Sequence, residues 1–173
     1  MGGAMKKLIV LLGALLVCSG CAGMERVKEE DKSFSQVYEV PGKTKDVIYE
    51  KTKIWIAQNF KSAKSVLEYE NKVDGTIIGN GIVQYPCEGL ACVGQSDWMM
   101  PFTMKVDVKE DKFRLTFSNL RIAWPAKTDT LGFHSASDHE MWQQGDYEKA
   151  KRVLFQFGDE IKLNMAKEAK SDK

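Results

Sequence analysis

The residues of this 173-residue chain best suited to covalent or metal chemistry are four cysteines and two histidines. A thiolate can be acylated, oxidised to a disulfide or bound to a metal. Cys18 and Cys21 close an apolar N-terminal run, and Cys87 and Cys92 lie in PCEGLACVG. His134 and His139 fall in GFHSASDHEMW beside Asp138 and Glu140. Imidazoles with carboxylates can hold zinc and leave a coordination position for water, which is the chemistry of a metal-dependent hydrolase. The two histidines are five residues apart, so they neither form HExxH nor lie one helical turn apart, and a polar loop with incidental histidines is the competing reading. There is no GxSxG elbow, and neither Cys87 nor Cys92 sits in a nucleophile motif. After the second cysteine pair comes the apolar run Trp98-Met99-Met100-Pro101-Phe102. It reads either as a strand start entering the core or as an exposed aromatic and methionine patch, a partner-binding surface on a pinned loop.

Cys21 is approached through Lys6 and Lys7, ten residues (8–17) that are apolar apart from Gly13, and then Ser19 and Gly20. Basic start, apolar core and small residues before a cut make a secretory signal. A membrane-spanning helix needs about 20 apolar residues, twice this run. The stretch resembles the lipobox of bacterial lipoproteins. The resemblance implies that the Cys21 sulfur receives a diacylglycerol, that residues 1–20 are removed, and that the new amino terminus is acylated, with palmitate-type chains as the membrane contact. Cys18 departs from the pattern, which usually has an aliphatic residue there. An aspartate after the lipidated cysteine marks inner-membrane retention in enteric-type bacteria. Ala22 stands there instead, which in such a bacterium implies the outer membrane, facing the periplasm. Met1 and Met5 can each serve as the start.

Removing residues 1–20 leaves 153 of the 173 residues, enough for one domain with a real core. It also takes the 25 basic residues to 23, against 24 acidic ones. A near-neutral chain offers no basic face for a nucleic-acid backbone, so no nucleic-acid partner is expected. Residues 21–33 are charged and read as a flexible tether, and residues 34–170 as a single α+β domain. In an exported chain, Cys87 and Cys92 read as a disulfide, with a free pair or a metal site as alternatives. No other Cys or His lies between residues 60 and 130, and no cofactor is expected.

The elements that must position these groups follow from periodicity. Residues 34–40 alternate as a strand, and Pro41-Gly42 ends it. Thr44 is a helix N-cap, with a helix to about Phe60 whose inner face carries Val47, Ile48, Lys51, Ile54, Trp55 and Gln58. Residues 66–71 and 76–85 are strands joined by a turn ending in Asp74-Gly75. Gly79 and Gly81 point to a bulge or bend in the second. Residues 102–109 alternate most cleanly, with Phe102, Met104, Val106 and Val108 on one face, and residues 113–122 return beside them. Residues 123–144 read as a long connection, and residues 146–170 as a closing helix with Leu154, Phe157, Ile161 and Met165 inward.

The order β-α-β-β-β-β-α predicts an antiparallel sheet of about five strands with two helices on one face. Residues 37–60, GTIIGNG at 75–81 and FTMKVDVKEDKFRLTFSNL at 102–120 resemble a family of uncharacterised bacterial domains, often found on lipoproteins, described as having a TATA-binding-protein-like fold. The resemblance implies a curved sheet under two helices and carries no catalytic residues. The expected role is a lipid-anchored envelope module that binds an envelope protein or a small molecule. The alternative is a metal-dependent periplasmic hydrolase using the loop at 134–140.

Overall fold

Alternation of apolar and polar residues builds the sheet. In the computed structural model, residues 25–60, 66–129 and 132–168 are described, so the signal stretch and Cys21 lie outside the described residues. β1 (Phe34–Glu39), β2 (Val66–Asn71), β3 (Thr76–Gln84), β4 (Met99–Lys109) and β5 (Lys112–Ser118) lie in the spatial order β1-β5-β4-β3-β2. Every neighbouring pair is antiparallel. Met104 is opposite Phe117, Val106 opposite Leu115 and Val108 opposite Phe113, and all six are buried. The intervening residues, such as Lys105, Asp107 and Arg114, take the other face, as a period of two requires.

Two helices cover the inner face. α1 (Lys45–Asn59) packs on β4 and β5, and α3 (Gln144–Glu168) packs on β1, β5 and α1. Between β3 and β4 lies the short α2 (Ala91–Gln95). The Thr44 hydroxyl caps α1 by accepting the Val47 amide at 3.4 Å. The inner face of α1 differs from the expected one. Ile48, Tyr49, Thr52, Trp55 and Ile56 are buried, whereas Val47 and Ile54 are exposed. With apolar residues on nearly every side of α1, the sheet and α3 decide which stripe is covered.

The strand expected at 113–122 is two strands. Asn119, at φ 52°, breaks it, because asparagine tolerates the left-handed region better than most residues. β6 (Arg121–Trp124) then pairs with β4 at Met99↔Ala123 and with β9 (Ser137–Glu140) along its length. β7 (Lys127–Asp129) and β8 (Gly132–His134) form a separate hairpin, so the expected long connection is largely strand. Strands of three or four residues carry too few alternations to reveal a period. The glycines of β3 are also explained differently. β3 runs against β4 without a register shift, and the irregularity lies across from it in β2, between Leu67 and Tyr69. A Cβ at Gly81 would stand 2.5 Å from the Phe102 ring, so Gly81 makes room for that ring.

Part of the stretch read as a tether packs on the domain. The Glu25 carbonyl accepts the Gln144 amide at 2.8 Å, and the Val27 amide donates to the Trp142 carbonyl at 2.9 Å. Val27 is buried, and Lys32 pairs with Glu140 at 2.8 Å. From Glu25 onward the backbone is therefore held against the domain.

Tyr38 gives a pH-dependent prediction. Its hydroxyl donates to the Phe155 carbonyl at 2.6 Å, and burial, aided by the charge of Asp159, pushes the phenol up to about 12. Below its ordinary value near 10 the phenol is neutral in both states, and its contribution to stability is complete. As pH rises from about 10 to about 12 the unfolded chain ionises first, so stability falls. Tyr38→Phe should flatten this alkaline loss in a series of urea melts, leaving the share due to Tyr49, Tyr85 and Tyr147, which burial also raises. An unchanged slope would remove Tyr38 as a source.

Candidate functional site

The Cys87–Cys92 disulfide closes a tight loop, with Cα atoms 5.1 Å apart. Both ends of the loop are tied, because the Tyr85 amide donates to the Trp98 carbonyl at 2.9 Å and the Gln84 side-chain amide to the Ser96 carbonyl at 3.0 Å. This loop delivers Trp98 to the start of β4. There its indole stacks on Trp124 of β6, with centroids 4.5 Å apart and planes 17° from parallel, while Tyr85 leans on it at 5.5 Å. His139 stands opposite Ile122 across β6 and β9, which puts it on the Trp124 side, edge-on to that ring at 5.4 Å. Trp142 follows β9, is 42 % exposed and carries the Arg26 guanidinium 5.4 Å from its ring centre.

The first turns of α3 supply charge. The Tyr85 hydroxyl donates to Asp146 Oδ1 at 2.6 Å, and Lys149 Nζ donates to the same oxygen at 3.1 Å. Lys149 also lies 3.3 Å from the Tyr85 oxygen and 5.6 Å from the centre of its ring. Burial first, and then the Asp146 carboxylate, push the Tyr85 phenol far above its ordinary range, so it stays a neutral donor. Asp146 is buried and charge-balanced by Lys149. Aromatic rings and this trio line an open cleft of about 360 Å³. Such a mixture of ring faces and fixed donors and acceptors suits a small-molecule site.

Of the apolar run after the cysteines, only part reaches the surface. Met100 and Phe102 are 0 % and 2 % exposed and point into the core, which corrects their reading as partner-binding residues. Met99 is 38 % exposed and lines a shallow groove of about 740 Å³ with Ile82 and Pro101 on the other face of the sheet. Trp98 alone of the run enters the cleft.

The histidine cluster does not assemble. Alternation sends Asp138 and His139 to opposite faces of β9. Asp138 bonds Arg121 at 2.7 Å, and Glu140 is paired with Lys32. His134 lies on the β7–β8 hairpin, opposite Lys127. Among the described residues no three His, Cys, Asp or Glu side chains are placed to hold a metal ion together. The hydrolase alternative thus lacks the ligand set it was built on. Sequence reasoning missed Tyr85, Trp124, Trp142, Asp146 and Lys149 as members of one site. The available signal was that three of the four tryptophans fall outside the clear amphipathic elements.

Residues 34–123 match the model of a family described as a domain of unknown function (DUF4468) with TBP-like fold. The match covers more than half of the chain, and the chain belongs to that family. The structure is similar to the crystal structure of a TBP-like protein from Parabacteroides distasonis, with a TM-score of 0.56 and 14 % identity over 83 % of this chain and 98 % of that one. It is also similar to a DUF4468 family protein from Bacteroides ovatus, with a TM-score of 0.53 and 16 % identity over 82 % of this chain and 88 % of that one. At these identities the likeness shows the fold alone. No curated protein matches.

Proposed function

We propose that this DUF4468-family chain is a lipid-anchored lipoprotein of the cell envelope, in the outer membrane facing the periplasm, whose domain is a binding module with its ligand seat in the cleft. The observation that carries the binding role is convergence. The residue that follows strand β3, the disulfide loop, strand β6, strand β9 and helix α3 each send a side chain to one place, and the central carboxylate is fixed by two donors. Support for the anchor is the basic, apolar, small-residue run that ends at Cys21. Two or more acyl chains make such anchoring stable. The four steps from Cys21 to Glu25, whose carbonyl is bonded to the domain, reach at most about 14 Å when extended. A lipid on Cys21 would thus keep the domain against the bilayer.

Native mass spectrometry of protein extracted from membranes tests this directly. The expected species carries the Cys21 lipid and the Cys87–Cys92 bond, and Cys21→Ala should appear as uncleaved or soluble precursor. Normal membrane retention of Cys21→Ala would refute the anchor. For the binding role, crosslinking around the cleft in intact cells should give an adduct that Trp98→Ala removes while the fold persists. An adduct indifferent to Trp98→Ala would count against the cleft.

A further inference from the structure

We infer that the cleft takes an uncharged sugar ring, either free or as a unit of a glycan; this deepens the reading of the cleft as the ligand seat and rests on it. Two features of the cleft's lining narrow the ligand. Its wall is indole and phenol, which favours a flat ligand face with C–H groups that can lie on a ring. Its polar groups are of both kinds: Gln95 and Gln143 offer amide donors and acceptors, Lys149 is a donor and Asp146 an acceptor. A ligand that answers all of them carries several groups that both donate and accept, and hydroxyl is the group that does so. A pyranose combines the two, with axial C–H groups on its faces and hydroxyls around its rim.

Charge removes the main competitors. Aromatic cages recognise cations through open ring faces. Here the protein's own cations already lie over two rings, Lys149 over Tyr85 and Arg26 over Trp142, so a ligand cation would meet like charge. A carboxylate or phosphate ligand would need a cation with uncompensated charge, but the charge of Lys149 is balanced by Asp146 at 3.1 Å. The Asp146–Lys149 pair leaves the centre of the cleft without net charge. At about 360 Å³ the space suits one sugar ring with its substituents rather than a long chain lying within it.

The test uses the full lipidated chain in detergent, titrated with cellotriose, maltotriose, xylotriose and chitotriose while tryptophan fluorescence is followed. Glucuronate, inorganic phosphate and choline form a second set of probes, and co-sedimentation with cellulose, chitin and peptidoglycan a third. The expected result is saturable fluorescence change with at least one neutral trisaccharide, weakened roughly fivefold to tenfold by Trp142→Ala or Lys149→Gln, as loss of one stacking or bonding group predicts. Both variants alter partly exposed side chains, and circular dichroism checks that they fold. Binding to an insoluble polymer but not to the matching trisaccharide would place the sugar in a glycan, and the reverse would make it a free ligand. Saturation by a charged probe alone would overturn the neutral-sugar inference. Sugar binding that ignores both substitutions would overturn the site. Silence toward every soluble and insoluble probe would overturn the sugar inference, and a Trp98-dependent crosslink in cells would then still uphold the cleft as ligand seat.

Discussion

Gly158→Ala should destabilise the domain by about 3 kcal/mol, the upper part of the range for overpacking a tight core. In an exposed helix interior the same change would stabilise by about 1 kcal/mol, because alanine is the better helix former. Packing reverses the sign. A Cβ on Gly158 of α3 would lie 2.0 to 2.3 Å from three carbons of the Tyr38 ring. The ring cannot retreat, since it is stacked on Phe113 with centroids 5.1 Å apart and its hydroxyl is tied to the Phe155 carbonyl at 2.6 Å. The helix would have to lift from β1. Urea melts should show a lower midpoint with an unchanged slope, the signature of lost stability without a change in the surface exposed. A double-mutant cycle isolates the cause. Once Tyr38→Ala has removed the ring, Gly158→Ala should become neutral or stabilising. A penalty that persists in that background would mean the glycine serves some purpose other than close approach.

The same contrast shows which parts of the structure can be read from the sequence. β4 and β5 are legible because their alternation runs unbroken through Phe102, Met104, Val106 and Val108 and through Phe113, Leu115 and Phe117, and the register pairs these residues on the buried face. Thr44 and Gly75 are legible because a cap and a turn are local chemistry, satisfied within a few residues. The buried stripe of α1 is not, since Val47, Ile48, Tyr49, Ile54, Trp55 and Ile56 compete for it and only the neighbouring elements choose. The cleft is harder still. Tyr85 and Asp146 are 61 residues apart, and no period links them to Trp98 or Trp124. Gly81 shows how a local signal can mislead: a glycine within a strand pattern indicated a bulge, while the ring it accommodates comes from the adjacent strand.

Phe102→Ala should cost about 3–5 kcal/mol, the usual price of removing a buried phenylalanine and leaving its space behind. Phe102 is 2 % exposed and lies among Phe60, Phe117 and Phe157 at centroid distances of 5.7 to 6.1 Å. It also borders an apolar hollow of about 300 Å³ next to Gly79 and Gly81. Against a total stability of about 5–15 kcal/mol for a typical domain, such a loss is a large fraction. Trp98→Ala removes a partly buried stacking partner instead and should cost about 1–2 kcal/mol, an aromatic pair together with part of its buried area. The two variants therefore separate core from site. Phe102→Ala should melt early and bind normally while folded, whereas Trp98→Ala should melt close to wild type and lose ligand. Adding Gly81→Ala to Phe102→Ala should recover part of the loss, because the new Cβ no longer meets a ring and a side chain replaces bare backbone in β3. If Phe102→Ala kept full stability and lost binding, the apolar run would have to be returned to the surface, and the burial that assigns Phe102 to the core would be wrong.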